Sequence, residues 1–193
     1  MQILRASDYR TTPWKNGGGV TTEIIVNPPG AGLEDFDWRV SMATIASDGP
    51  FSRFPGIDRT LAVLDGAGLR LMIGEGPAVL LTAQTQPFDF VGDLPTRSEL
   101  VRGPITDLNL MVRRDSFARR MTRLTLDAPK SIVVGARIAL LFCAEGVLGV
   151  ETPEGVATLA PRDALCCNGG STIWGLNPET VGLAYVLEVE DHF

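Results

Sequence analysis

A chain of 193 residues, 45% of them hydrophobic and 21% charged, has enough apolar material for one domain or a tightly fused pair, and a core of that size needs neither disulfides nor metals to hold it. Its 17 Lys and Arg face 23 Asp and Glu, a net charge of −6, which argues against nucleic acid or an anionic membrane as partner, so any anion site must be local. Cysteine is sparse and odd in number, and the adjacent pair Cys166-Cys167 forms no ordinary bridge; with Cys143 these read as buried thiols of a reducing compartment. The first eight residues contain no apolar signal-peptide core, and the longest strongly apolar region, Ser131 to Val150, is broken by Arg137, Glu145 and glycines. A soluble, cytoplasmic protein is therefore expected.

Thirteen prolines and 21 glycines punctuate short apolar runs, and long 3.6-residue periodicity is scarce, the pattern of an all-β sandwich or barrel. The first informative stretch is Pro13-Trp14-Lys15-Asn16-Gly17-Gly18-Gly19. It places an indole, a cation, an amide and three glycines, whose N–H groups no side chain covers, before a strand. The plainer alternative is a turn with Trp14 as a core lid and Lys15 in solvent. In the strand that follows, Val20, Thr22, Ile24 and Val26 alternate with Thr21, Glu23 and Ile25, one face apolar and the other carrying a hydroxyl and a carboxylate.

Residues 37–46 read as a second strand with Trp38, Val40 and Met42 on one face and Arg39, Ser41 and Ala43 on the other. Arg39 and Glu23 then belong to matching polar faces, which look either at solvent or into a barrel cavity. A long turn-rich loop follows, Asp48-Gly49-Pro50-Phe51-Ser52-Arg53-Phe54-Pro55-Gly56-Ile57-Asp58-Arg59. Phe51, Phe54, Asp58 and Arg59 together suit an apolar wall with a carboxylate-binding fork; aromatics tucked over a barrel end are the structural alternative.

Asp65-Gly66-Ala67-Gly68 between two apolar runs is a hairpin signal. Thr106 to Arg113 reads as a strand with Asp107 and Asn109 opposite Leu108 and Leu110, the polar pair either facing a cavity or capping the strand entry. Asp115 to Arg120 reads as a short helix or connector, Ile132 to Cys143 as one strand, and the second half as a similar spacing of short strands and turns.

A lone His192 beside the C-terminus makes a histidine metal centre or a Ser-His-Asp triad improbable. With no Cys-x-x-Cys, Walker or dinucleotide motif either, no cofactor and no metal are expected.

The ordered motifs from Pro13 to Ile24, Asp37 to Ala43 and Asp48 to Arg59, with Gly103-Pro104 and Asp107 to Met111, resemble the HutD/Ves family. The resemblance implies a cupin-like double β-barrel (bicupin) in a single chain, here 1–113 with the pocket and 114–193 as the second half. It also implies a link to histidine utilisation or stress response without established catalysis, and a small intermediate such as a formylated or formimino-glutamate as a candidate ligand.

The leading expectation is a non-catalytic protein that binds a small anionic metabolite. Lys15 with Arg39 or Arg59 would neutralise its carboxylate. Asn16 and the Gly17, Gly18 and Gly19 amides would donate, Trp14, Phe51 and Phe54 would exclude water, Glu23 would orient an arginine, and Thr21, Ser41 and Asp58 would complete the lining. One alternative is a metal-independent enzyme with Glu23 or Asp58 as base; another is a regulatory module whose aromatics contact a protein. A homodimer fits a β-protein with exposed edges.

Overall fold

The computed structural model describes residues 1–14 and 17–192, almost all in strands and turns. Among them the helical segment is the single 3₁₀ turn Ala6–Asp8, and no helix is long and apolar enough to cross a membrane. The all-β expectation holds. Two compact units divide the chain: Arg10–Phe117, and Met1–Tyr9 with Ala118–Phe193.

The Arg10–Phe117 unit contains two antiparallel sheets. The larger runs Arg10–Pro13, Gly19–Asn27, Trp38–Ile45, Ile105–Arg113, Ile57–Asp65, Phe88–Val91; the smaller runs Gly49–Pro50, Thr96–Leu100, Leu69–Ile73, Val79–Leu81. Ile45, Leu61 and Val63 of the first share one core cluster with Leu69, Leu71 and Leu81 of the second, all at most 3% exposed. Burial of each such side chain stabilises by about 1.5–3 kcal/mol before the entropy of ordering is subtracted.

The Asp65-Gly66-Ala67-Gly68 turn is not a hairpin. Ile57–Asp65 pairs with Ile105–Arg113 and Phe88–Val91, whereas Leu69–Ile73 pairs with Thr96–Leu100 and Val79–Leu81. The turn therefore carries the chain from one sheet to the other. Gly68 has φ +104°, and a Cβ there would stand 2.3 Å from the Leu81 carbonyl oxygen, so the residue that signals a tight turn also permits this corner.

Register sets the inner face of the large sheet. Met111, Asn109 and Asp107 stand opposite Arg39, Ser41 and Ala43 on one side, and Met111 and Asn109 stand opposite Arg59 and Leu61 on the other. A two-residue period puts all of these on one face. The other face is apolar and equally buried: Val40, Leu108, Leu110 and Val112 are at most 1% exposed. The polar residues between them thus belong to an enclosed face rather than to solvent.

In Gly19–Asn27 the register shifts between Glu23 and Ile25. The expected unbroken alternation is therefore corrected: a bulge inserts one residue and reverses parity. Thr21 and Glu23, opposite Ala43 and Ser41, lie on the inner face, and beyond the bulge Val26 returns to it opposite Arg39. Val26 packs there with Phe36, Ile57 and Met111.

The second unit repeats the two-sheet plan. Its sheets run Gln2–Leu4, Ala164–Asn168, Ile138–Glu145, Gly182–Asp191, Phe117–Leu126, and Lys130–Val134, Thr172–Pro178, Leu148–Thr152, Gly155–Leu159. Asp163, 5% exposed, holds the first residues to this unit by accepting from Arg5 Nη1 at 2.7 Å and the Ala6 N–H at 2.9 Å. Two sequence readings are corrected here. Asp115 and Ser116 are a turn and Phe117 to Arg120 already belong to the strand Phe117–Leu126, its β pairing outweighing a weak local helical pattern, and the run from Ile132 to Cys143 breaks at Gly135 into two strands of different sheets. The three cysteines are free and buried; burial pushes the Cys143 and Cys166 thiols up to about 11, which leaves them unreactive near neutral pH.

Candidate functional site

The inner face of the large sheet opens on a cavity of about 580 Å³ lined by Thr12, Pro13, Trp14, Thr21, Leu33, Arg39, Ser41, Ala43, Ile45, Pro50, Phe51, Ser52, Phe54, Arg59, Asp107, Asn109 and Met111. That volume lies within the range of small-molecule pockets, and the lining combines aromatic walls with a few convergent polar groups.

Arg59 is part of this lining and is only 5% exposed. Its guanidinium carbon is 5.2 Å from the Phe51 ring centroid, 5.6 Å from Phe54 and 4.9 Å from Phe90. Three rings around one cation replace part of its lost hydration by cation–π attraction. Desolvation lowers the Arg59 pKa to about 10, against the opposing pull of the Asp107 charge, so the group stays cationic at neutral pH.

Arg39 donates from Nε to Glu23 Oε2 at 2.9 Å, with side chains 12% and 30% exposed. This pair joins neighbouring strands across the inner face, as their matching parity suggested. Asp107 is 1% exposed and accepts from the Ala43 N–H at 3.2 Å. Burial raises its pKa to about 7, with Arg59 and that N–H pulling the other way. Asn109, 7% exposed, also lines this space, and its side-chain oxygen is buried without a hydrogen-bond partner.

Trp14 forms the wall next to the glycine stretch. Its Nε1–H donates to Thr21 Oγ1 at 2.7 Å, and its ring lies 3.1 Å from where a Cβ on Gly19 would stand, with the Thr44 carbonyl oxygen at 2.3 Å. Gly19 is therefore a close-approach glycine that seats the indole. The Gly17 N–H donates to the Trp14 carbonyl at 3.1 Å and the Gly18 carbonyl accepts from Ala46 at 2.9 Å, so these contacts tie the loop to its own unit. Lys15 and Asn16 lie outside the described residues. Trp14→Phe is expected to lower stability by about 1 kcal/mol, the usual net worth of one hydrogen bond, read from urea unfolding, with Thr21→Val giving a similar loss and the double variant less than the sum.

Comparison with known proteins decides the family. The HutD family model matches residues 6–182 of the chain. The chain belongs to the HutD family. A 21.2 kDa Pseudomonas putida protein from the hutC 3' region is 36% identical over 180 residues, 91% of each chain. Protein Ves of Cronobacter sakazakii is 44% identical over 116 residues, 60% of this chain and 62% of its own. The solved structure of HutD from Pseudomonas fluorescens SBW25 superposes with a TM-score of 0.85 at 31% identity, covering 100% of this chain and 99% of that one. A cupin 2 conserved barrel domain protein from Leptotrichia buccalis superposes with a TM-score of 0.60 at 10% identity, covering 98% of this chain and 100% of that one; at that identity the likeness speaks for a cupin-like fold alone.

In this HutD-family chain the structure gathers Trp14, Thr21, Arg39, Ser41, Phe51, Phe54 and Arg59 around the cavity, with Glu23 bonded to Arg39 at its edge. Asp58 is not brought there: on the opposite side of its strand from Arg59, it accepts from Arg114 Nε at 2.7 Å, and Asp93 accepts from the same guanidinium. Asp107 and Asn109 join the lining although the motifs did not single them out as ligand residues. Their signal was present in the register argument: polar residues at alternate positions of an apolar strand, in step with Arg39 and Ser41. A metal held on cupin-type ligands does not fit this cavity, whose lining among the described residues has no imidazole or thiol and the single carboxylate of Asp107.

Proposed function

We propose that the cavity of the Arg10–Phe117 unit binds a small carboxylate metabolite, and that this binding, without turnover, is how the protein limits or tunes histidine utilisation. The observation that carries the reading is the enclosed Arg59 guanidinium, still charged at neutral pH, inside a cavity walled by Phe51 and Phe54. A buried fork of donors matches a carboxylate in two parallel bonds. The P. putida relative's position beside hutC gives the pathway its place in the proposal.

The remaining lining narrows the ligand. The polar side chains of Asn109 and Asp107 line the same cavity as Arg59, so a molecule with N–H groups beside its carboxylate suits the cavity better than a simple fatty acid. A formylated or formimino-glutamate has both features. Trp14, Phe51 and Phe54 are half-buried around the cavity rather than fully exposed, which favours a small ligand over a protein partner. The same reading takes the molecule as a cytoplasmic bicupin, each unit a cupin-like half built from one larger and one four-stranded sheet.

Thermal unfolding with N-formylglutamate, N-formiminoglutamate, glutamate and acetate tests it. A ligand at a hundredfold excess over its dissociation constant adds about 2.7 kcal/mol to stability. The N-acylated acids should raise the midpoint most, with no product formed over hours. No shift from any acid would reject the small-ligand reading, and product formation would reject the absence of turnover.

A further inference from the structure

Asp58 belongs to the motif that supplies Phe51, Phe54 and Arg59, yet the pleat turns it away from the cavity. On that far side of its strand it joins an ion cluster. Arg114 Nε donates to Asp58 Oδ1 at 2.7 Å, and Arg114 Nη2 donates to Asp93 Oδ2. The other oxygen of the Asp93 carboxylate accepts from the Gly56 N–H at 3.0 Å, and the Asp93 carbonyl accepts from Arg53 Nε at 2.9 Å.

These groups grip the segment of residues 51–56. The Arg114 N–H donates to the Gly56 carbonyl at 2.9 Å, the Phe54 N–H to the Gly92 carbonyl at 2.9 Å, and the Gly92 N–H back to the Ile57 carbonyl at 2.7 Å. At the other end the Phe51 N–H donates to the Thr96 carbonyl at 2.8 Å. The segment carries the aromatic wall of the cavity. Phe51 and Phe54 are half-buried, and their ring centroids lie 5.2 and 5.6 Å from the Arg59 guanidinium carbon.

Half-buried rings order a loop only weakly against its conformational entropy, so the placement of these two depends on the polar contacts that hold their backbone. The cluster itself is partly exposed at all three side chains, and ion pairs in such positions add little to global stability. Its effect is therefore local. We propose that Arg114, braced by Asp58 and Asp93, is a positioning residue of the cavity: it fixes residues 51–56 so that the Phe51 and Phe54 rings stand against Arg59. Only the consequence for affinity rests on reading that cavity as a carboxylate site; the placement of the rings can be measured without a ligand.

Proton–nitrogen NMR of the whole protein, free of ligand, is the first test, the Arg59 Nε–H resonance being assigned by its absence in Arg59→Met. Rings facing a donor displace its resonance upfield, so the parent signal should stand upfield of those of exposed arginines. In Arg114→Met it should move at least half of the way back, with Arg114→Lys recovering part of the displacement. Asp93→Asn, which keeps an oxygen for the Gly56 N–H, should move it in the same direction. Arg137→Met, which removes the exposed pair with Asp191 in the other unit, should leave it in place. Titration with N-formylglutamate should show Arg114→Met binding about fivefold more weakly than the parent, with the urea midpoint nearly unchanged. An Arg59 signal unmoved in both Arg114→Met and Asp93→Asn, or moved equally by Arg137→Met, would overturn the proposal. A parent that binds no N-formylglutamate would count against the carboxylate reading instead, and the resonance alone would then decide the role of Arg114.

Discussion

Arg59→Met is expected to weaken binding of a carboxylate ligand by roughly 100-fold, about 2.7 kcal/mol, the worth of a charge-assisted fork in a desolvated site. Methionine keeps an unbranched stem against Phe51, Phe54 and Phe90, whose ring centroids lie 4.9–5.6 Å from the guanidinium carbon, so the loss reports the charge and the fork more than the packing. Arg59→Lys keeps the charge but presents one ammonium in place of the planar fork, and should recover only part of the loss. Isothermal titration against the best acid of the panel measures this. An affinity unchanged within twofold in Arg59→Met would show that the carboxylate sits elsewhere.

Stability must be followed alongside, because Arg59 has a second task. Its positive charge is what pulls the buried Asp107 carboxyl down toward about 7 against the desolvation that raises it. Without Arg59 the Asp107 carboxylate has less to stabilise it, so Arg59→Met should lose more stability at pH 8 than at pH 6. Adding Asp107→Asn should restore stability at pH 8 but not carboxylate affinity. That split separates a binding defect from a folding defect.

Asp107→Asn by itself should change how stability depends on pH. The carboxyl has a folded pKa of about 7, against about 3.9 in the unfolded chain. A raised folded pKa means that the native state holds the proton more tightly than the unfolded state. Its contribution is complete below about pH 4, declines as pH rises toward 7 and is lost above it, a total of about 4 kcal/mol at 1.36 kcal/mol per unit. Asparagine resembles the protonated form and does not titrate. Urea unfolding at pH 5 and pH 8 should therefore show the variant gaining on the parent by about 3 kcal/mol across that interval. A constant difference would mean that Asp107 is already ionised in the fold at pH 5. Binding follows the same proton: an anion is favoured next to a neutral Asp107, so affinity should fall about tenfold from pH 6 to pH 8 in the parent and stay level in the variant.

Much of the architecture was legible locally. Glycine and proline punctuation, short apolar runs and period-two alternation in Trp38–Ile45 and Ile105–Arg113 named an all-β chain and the faces of its central strands. The pairing of Glu23 with Arg39 followed from parity alone, because both lie at inner positions of adjacent strands. The Trp14 and Arg59 motifs likewise marked the residues that now line one cavity. These features were readable because they depend on side-chain type and a spacing of one or two residues.

Other features depend on which strand meets which, and no local pattern encodes that. The turn at Gly66 to Gly68 has the composition of a hairpin, yet its flanking strands find their partners in different sheets. The bulge between Glu23 and Ile25 reverses parity, a shift visible only against the register of Trp38–Ile45. Asp58 and Arg59 are adjacent in sequence, and the pleat sends one to Arg114 and the other into the cavity. By itself the sequence determined the fold class, the alternation and the chemical types available to a site. Tertiary structure alone decided that Asp107 and Asn109 are buried in the same cavity wall as Arg59, because desolvation, register and the convergence of distant strands are properties of the packed chain.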